Sequence, residues 1–198
     1  MIITIFDFDD TLFATSAFEN EPTESLELTV SIDALLLKAA QMGEIIIVTN
    51  ATTSWVELCL QRYLSKSEYL KMFIQRVYST IDSIPDLKKD DQSRWKTRAF
   101  KKVLKPFFKN KESHTLFTFG DSKFDRDAAI KIKETYKNVA VKSVKLMQRP
   151  TLKVLLYEHY LLYTFLSNSM SSLSESEDVI YEASISGITQ KSSSALFS

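Results

Sequence analysis

Cysteine is nearly absent: Cys59 is the single thiol in 198 residues, so no internal disulfide can form. It sits in an apolar, helical-looking run from Trp55 to Leu64 and reads as a buried thiol. Histidine is scarce as well. His114 and His159 lie far apart and show neither zinc-ligand spacing nor a nucleophile partner, which sets histidine chemistry aside. Excess charge of either sign is missing, because 25 basic side chains balance 25 acidic ones. No global positive field therefore collects nucleic acid or an anionic membrane, and recognition must be local. No apolar stretch approaches a membrane-spanning length. Met1 runs directly into Ile-Ile-Thr-Ile-Phe with no basic region, so the expectation is a cytoplasmic protein without a secretory signal.

What is present is a globular balance of 44% hydrophobic and 25% charged residues, with thirteen Phe and eight Tyr to fill a core. The length suits one main domain. Short apolar runs at Ile2 to Phe6, Glu44 to Val48, Arg76 to Ser79, Thr115 to Phe119 and Val139 to Val144 read as strands. Between them lie expected helices: Ser31 (as cap) to Met42, ended by Gly43; Thr53 or Ser54 to Leu64; Arg94 to Phe108; and Arg126 to Tyr136. Alternating strands and helices predict an α/β fold with a parallel sheet. After Pro150 the segment Thr151 to Leu166 reads as a further helix, apolar on most sides, that is either buried in the domain or docked on a partner. From Ser167 the composition changes, with twelve serines in the last 32 residues and the acidic residues Glu175, Glu177 and Asp178. The expectation is a domain over residues 1–166 followed by a loosely packed tail, 167–198.

In open parallel sheets ligands bind beyond the carboxyl ends of the strands. Those positions hold Asp7, Thr49 and Asp121. In Phe6-Asp7-Phe8-Asp9-Asp10-Thr11-Leu12, two carboxylates two residues apart can divide labour: one attacks phosphorus while the other handles the proton of the leaving oxygen and of water. Taken alone the run is equally readable as an acidic turn. Thr49 and Asn50, after the strand Ile45 to Val48, offer a hydroxyl and backbone N–H groups to a phosphoryl oxygen, although such a threonine is more often a helix cap. Gly120-Asp121-Ser122-Lys123-Phe124-Asp125 is more specific, since Gly120 permits a tight turn and Asp121 and Asp125 are hard oxygen ligands suited to magnesium. A cation to balance these carboxylates is expected at Lys96, with Trp95 anchoring its turn; Lys88, Lys89, Lys101 and Lys102 compete. Each feature has an ordinary structural explanation. All four in this order, three of them at strand ends, make a coincidence a poor one.

With these residues the sequence resembles the haloacid dehalogenase (HAD) superfamily, whose first motif is Asp-x-Asp-x-Thr and whose last resembles Gly-Asp-Ser-x-x-Asp; the match covers residues 1 to 145. The resemblance implies a Rossmann-like fold and a magnesium-dependent phosphatase. It implies Asp7 as nucleophile and metal ligand, and Asp9 as general acid and base with its backbone carbonyl on the metal. Asp121 would be a further ligand, Asp125 would bind through water or orient the site, Thr49 would hold the phosphoryl group, and Lys96 would neutralise the aspartyl-phosphate. Asp10 stands where many members carry glycine. The gaps from Leu12 to Ile45 and from Thr49 to Lys96 are too short for a large cap domain, which favours a phosphorylated protein as substrate. The capless organisation is similar to HAD protein phosphatases, including phosphotyrosine-directed ones among eukaryotic proteins and among proteins that intracellular bacteria translocate into host cells. Phe8, Phe13, Phe18 and Phe124 are candidates for an aromatic rim. The competing expectations are a phosphatase of a small metabolite or a nucleic-acid end, and a phosphoprotein-binding module without turnover.

Overall fold

The apolar runs become strands buried on both faces, and the order in which they pair decides where chemistry can sit. The computed structural model describes residues 1–18, 25–83, 94–108, 112–171, 179–184 and 186–191. Five parallel strands, β1 (Ile2–Phe6), β2 (Glu44–Thr49), β3 (Val77–Ser79), β4 (His114–Gly120) and β5 (Val139–Lys145), are continued by β6 (Val179–Ser184), parallel to β5, and β7 (Gly187–Lys191), antiparallel to β6. Their spatial order is β3-β2-β1-β4-β5-β6-β7. The connecting helices are α1 (Thr15–Phe18), α2 (Leu26–Met42), α3 (Thr53–Tyr63), α4 (Glu68–Phe73), α5 (Thr80–Ser83), α6 (Trp95–Leu104), α7 (Lys123–Thr135) and α8 (Leu152–Ser171). This is a Rossmann-like α/β architecture.

Alternation along the strands builds two cores. Ile3, Ile5, Ile46, Val48, Leu116 and Val141 pack with Ala99, Phe100 and Leu104 of α6 and with Ala128, Ala129 and Ile132 of α7. Phe6, Ile45, Ile47, Phe117, Phe119 and Val144 cluster instead with Leu28, Ile32 and Leu35 of α2 and with Leu155, Leu162 and Leu166 of α8. Each Val, Leu, Ile or Phe among them contributes about 1.5–3 kcal/mol by leaving water, which is why strands sandwiched by helices are almost continuously apolar. β1 lies between β2 and β4, so the chain leaves it first in one direction and later in the other. A topological switch of this kind opens a crevice beyond the carboxyl ends of β1 and β4.

The expected strands are all present, whereas several helix boundaries move. α2 begins at Leu26 with Ser25 as its cap, the Ser25 hydroxyl accepting from Leu28 N at 3.2 Å. Ser31, expected at the cap, lies inside the helix, its hydroxyl 2.9 Å from Leu28 O. Thr52, not Thr53 or Ser54, caps α3 by accepting from Trp55 N. Gly43 ends α2 as expected, and a Cβ there would collide with the Ile2 carbonyl. α6 is shorter than the expected Arg94 to Phe108, and α7 starts earlier, at Lys123, because Ser122 caps it.

The largest correction concerns the C-terminal stretch. Residues 167–171 continue α8, and β6 and β7 join the sheet, so a boundary at 166 does not end the fold. Val179, Ile180 and Ala183 are buried, and these apolar positions are enough for an edge hairpin despite the surrounding serines. Glu175, Glu177 and Asp178 lie outside the described residues. Among the described residues no helix is long and apolar enough to cross a membrane.

α8 is buried in the domain on its Leu155, His159, Leu162 and Leu166 side, with Tyr157, Tyr160 and Tyr163 exposed. Two consecutive buried polar residues tie it to loops at the carboxyl end of the sheet. Glu158 Oε1 accepts from Met147 N at 2.7 Å, while Oε2 has no partner among the described residues. His159 Nε2 lies 2.8 Å from the Thr11 carbonyl, which can only accept, so the proton sits on Nε2 and Nδ1 faces the Ser31 hydroxyl at 2.8 Å. Burial pushes His159 down to about 4 and Glu158 up to about 7. The two have opposite linkage. Unfolded His159 takes a proton near pH 6.5 that the folded ring refuses, so its stabilisation is intact above that pH and falls by about 3 kcal/mol as pH drops toward 4. Folded Glu158 holds its proton up to about pH 7, so its term is full below about pH 4.5 and is lost as pH rises through 7. Between pH 7 and 4.5 the two offset each other. Chemical denaturation across this window should therefore show Glu158→Gln losing stability on acidification faster than wild type; parallel curves would contradict the assignment.

Candidate active site

The end of β1 delivers Asp7 into the crevice while its backbone stays in the sheet, Asp7 N donating to Phe119 O at 2.9 Å. The following loop is wound tightly around Phe8 O, which accepts from Thr11, Leu12 and Phe13 N. Asp10 adopts φ 51°, a left-handed conformation that glycine takes most easily and that Asp tolerates through local hydrogen bonds. Its carboxylate accepts from both the backbone N–H and the hydroxyl of Ser16. The role of Asp10 is thus to hold the turn and the start of α1, a function the sequence alone does not disclose.

Asp7 is 7% exposed. Its Oδ1 accepts from Phe8 N at 2.8 Å and pairs with Lys96 Nζ at 2.6 Å, and its Oδ2 takes no hydrogen bond from the described residues. Lys96, in the first turn of α6, is 1% exposed and also bonds Asp125 Oδ1 at 2.8 Å and Val48 O at 2.7 Å. All three ammonium protons are used. The expected lysine is therefore the buried one. Lys101 and Lys102 are exposed on the same helix, and Lys88 and Lys89 lie outside the described residues.

β4 supplies the other side. Gly120 ends the strand against the Asp125 side chain, where a Cβ would collide with the carboxylate. Ser122 caps α7 and donates to Asp125 Oδ2 at 2.5 Å, so both Asp125 oxygens are fixed, one by Ser122 and one by Lys96. Carboxylate oxygens of Asp7, Asp121 and Asp125 lie within 4.8 Å of one another. Burial pushes Asp121 up to about 7, with Asp125 and Asp10 adding repulsion that Lys96 and Lys145 only partly relieve. Burial also raises Asp7, against the pull of Lys96. Lys96 is raised: desolvation opposes its charge, but Asp125 and Asp7 outweigh it. Three carboxylates facing one ammonium leave uncompensated negative charge in a low-dielectric crevice, the condition that a small hard cation relieves. The cluster can hold a metal ion.

Asp9 points its carboxylate elsewhere. Oδ1 accepts from Thr15 Oγ1 at 2.5 Å and from Trp55 Nε1 at 2.9 Å, and Oδ2 accepts from Thr49 Oγ1 at 3.3 Å. Its side chain is not among the carboxylates that meet at the cluster. Thr49, fully buried at the end of β2, also accepts from Ala51 N at 2.9 Å. The Asn50 side-chain Oδ1 accepts from Thr80 Oγ1 at 2.9 Å, which commits it to the β3–α5 junction.

No protein-family model, curated protein or solved structure matches the chain. The geometry therefore has to carry the functional argument. It brings Asp7, Lys96, Asp121 and Asp125 together, links Thr49 to Asp9, gives Ser122 of the last motif the cap of α7, and adds two residues that sequence reasoning did not single out for the site: Thr15 and Trp55. The expected aromatic rim does not form from Phe8, Phe13 and Phe18, which are buried and packed on one another with Tyr63 as core. Their apolar neighbours outnumber the few polar residues of the loop. Phe124 is half-buried, with Lys123 over its ring. Cys59 is buried as expected, and burial first, then Asp9, pushes its thiol up to about 12, which leaves it protonated and unreactive.

Proposed function

We propose that the chain is a magnesium-dependent phosphomonoester hydrolase of the HAD type that works through an aspartyl-phosphate on Asp7. The observation that carries this reading is the buried Lys96 ammonium held between Asp7 and Asp125, beside Asp121, at the carboxyl end of β1 and β4. A nucleophilic carboxylate needs one oxygen fixed and the other free, and Asp7 has that arrangement. The donor set is all-carboxylate and suits a hard cation; Asp7, Asp121 and Asp125 would hold it. Magnesium, when bound, supplies charge neutralisation on the phosphoryl oxygens.

In the first step Asp7 forms a bond to phosphorus as the bond to the leaving oxygen breaks, and Asp9 gives that oxygen its proton. Lys96 stabilises the charge that builds on the phosphoryl group, in a site where one ammonium acts more strongly than it would in water. Thr49 presents its hydroxyl to a phosphoryl oxygen, held in place by the Ala51 N–H that it accepts. In the second step Asp9 takes a proton from water, the water oxygen attacks phosphorus, and Asp7 is released with inorganic phosphate.

The substrate class follows from what surrounds the site. Among the described residues, the segments after β1 and β2 hold only short helices and α2, with no inserted cap domain. A crevice of this kind admits a phosphate presented on a large surface, which completes the exclusion of water itself. A phosphorylated protein is the substrate we assign, with phosphotyrosine the residue to try first. Location in the cytoplasm, or in a host cell after translocation, is compatible with such a substrate. The test is release of phosphate from an aryl phosphate with and without magnesium, followed by a panel of phosphopeptides, sugar phosphates and DNA 3′-phosphates. Magnesium-dependent turnover with preference for phosphopeptides supports the reading. Preference for sugar phosphates or DNA ends moves the substrate class, and tight phosphopeptide binding without turnover turns the chain into a binding module.

A further inference from the structure

We propose that Trp55 is a positioning residue for Asp9: its indole N–H, with the Thr15 hydroxyl, holds Oδ1 and leaves Oδ2 to exchange the proton with the leaving oxygen. The inference rests on the phosphatase reading and deepens it. Trp55 lies 46 residues from Asp9, in the first turn of α3, where the Thr52 cap fixes its backbone. Its ring packs partly buried against the core that also contains Phe13. The indole is thus held at both ends before it reaches the carboxylate at 2.9 Å.

Donor chemistry separates the two oxygens. An indole N–H donates and never accepts, so Asp9 cannot place a proton on Oδ1 toward Trp55. Thr15 at 2.5 Å occupies the same oxygen. Oδ2 has the single longer bond from Thr49 at 3.3 Å, and Thr49 is the residue assigned to a phosphoryl oxygen. Once phosphate draws the Thr49 hydroxyl, Oδ2 is free to act. The Oδ2–H bond then breaks as the leaving oxygen, which keeps the electron pair of the P–O bond, gains its proton.

A residue that acts only by positioning the acid should reveal the fact through the leaving group. Trp55→Phe keeps the ring and deletes the N–H. On an alkyl phosphate, whose oxygen must be protonated to leave, kcat/KM is expected to fall about tenfold to a hundredfold. On 2,4-dinitrophenyl phosphate, which leaves as an anion, it should stay within about twofold of wild type. In an Asp9→Ala background, Trp55→Phe should produce no further substrate-selective loss. Equal losses on both substrates, or a selective loss that persists without Asp9, would overturn the assignment and leave the phosphatase reading standing. Absence of magnesium-dependent turnover in wild type would remove both. Should Trp55→Phe fail to fold, the indole N–H signals answer instead, since the chain has two tryptophans. Asp9→Ala should move the Trp55 signal and leave that of Trp95, whose Nε1 has no partner among the described residues, in place; an unmoved Trp55 signal overturns the proposal.

Discussion

Replacing Asp7 with Asn is expected to reduce magnesium-dependent phosphate release by about 10⁴-fold or more while leaving the fold intact. The carboxamide keeps an oxygen for Phe8 N, so the loop geometry survives, but it offers no anionic oxygen to phosphorus. The stability effect should have the opposite sign. Burial raises Asp7, which means that the fold holds its negative charge at a cost, and Asp125 and Asp121 add to it. Without magnesium the variant should therefore unfold at the same or a higher denaturant concentration than wild type. With magnesium the order reverses, because a ligand that binds only the folded state stabilises wild type and binds the variant more weakly. The measurement is a pair of denaturation curves at neutral pH, with and without the metal, beside the phosphate assay. Turnover retained by Asp7→Asn sinks the covalent mechanism; an unchanged metal response sinks the placement of Asp7 in the metal site.

How far this site can be read from the sequence depends on what kind of information each residue carries. Asp7, Thr49 and Asp121 are legible because strands with nearly continuous apolar character announce their own ends, and parallel sheets put ligands there. Gly120 and Ser122 belong to a local turn and cap, so neighbouring residues reveal them. Lys96 is harder. A lysine in a helix is usually solvated, and its burial to 1% exposure arises from three partners at sequence distances that no local pattern encodes: Asp7, Val48 and Asp125. Trp55 is illegible for the same reason, since its bond to Asp9 exists only once β2 and the loop after β1 are neighbours. Asp10 reads as one more carboxylate in an acidic run, and only its positive φ shows why it is needed. The β6–β7 hairpin is hidden differently. Serine-rich composition suggests loose packing, yet a hairpin at the sheet edge requires few buried side chains, and Val179, Ile180 and Ala183 of β6 provide them.

The position of Lys96 makes the second large effect a test of electrostatics rather than of packing. Lys96→Ala removes the cation and leaves Asp7 and Asp125 facing each other in the crevice without a counter-charge, and breaking a buried ion pair from one side typically costs about 3–5 kcal/mol. Lys101→Ala, on the exposed side of the same helix, should stay within about 0.5 kcal/mol of wild type. The comparison holds the helix constant and changes only the burial of the charge. The loss at Lys96 should also depend on conditions in a way that a cavity would not. Acidification protonates the unpaired carboxylates and shrinks it, and magnesium, which supplies positive charge to the same oxygens, offsets part of it. Catalysis should not recover with magnesium. On the proposed phosphatase reading the ammonium acts on phosphoryl charge that develops during transfer, so Lys96→Ala should remain slower than wild type by about 10²–10³-fold at saturating metal. Equal activity in the two lysine variants would remove Lys96 from the site. A stability loss indifferent to pH and magnesium would reduce it to a packing residue, and with it the charge balance on which Asp7 depends.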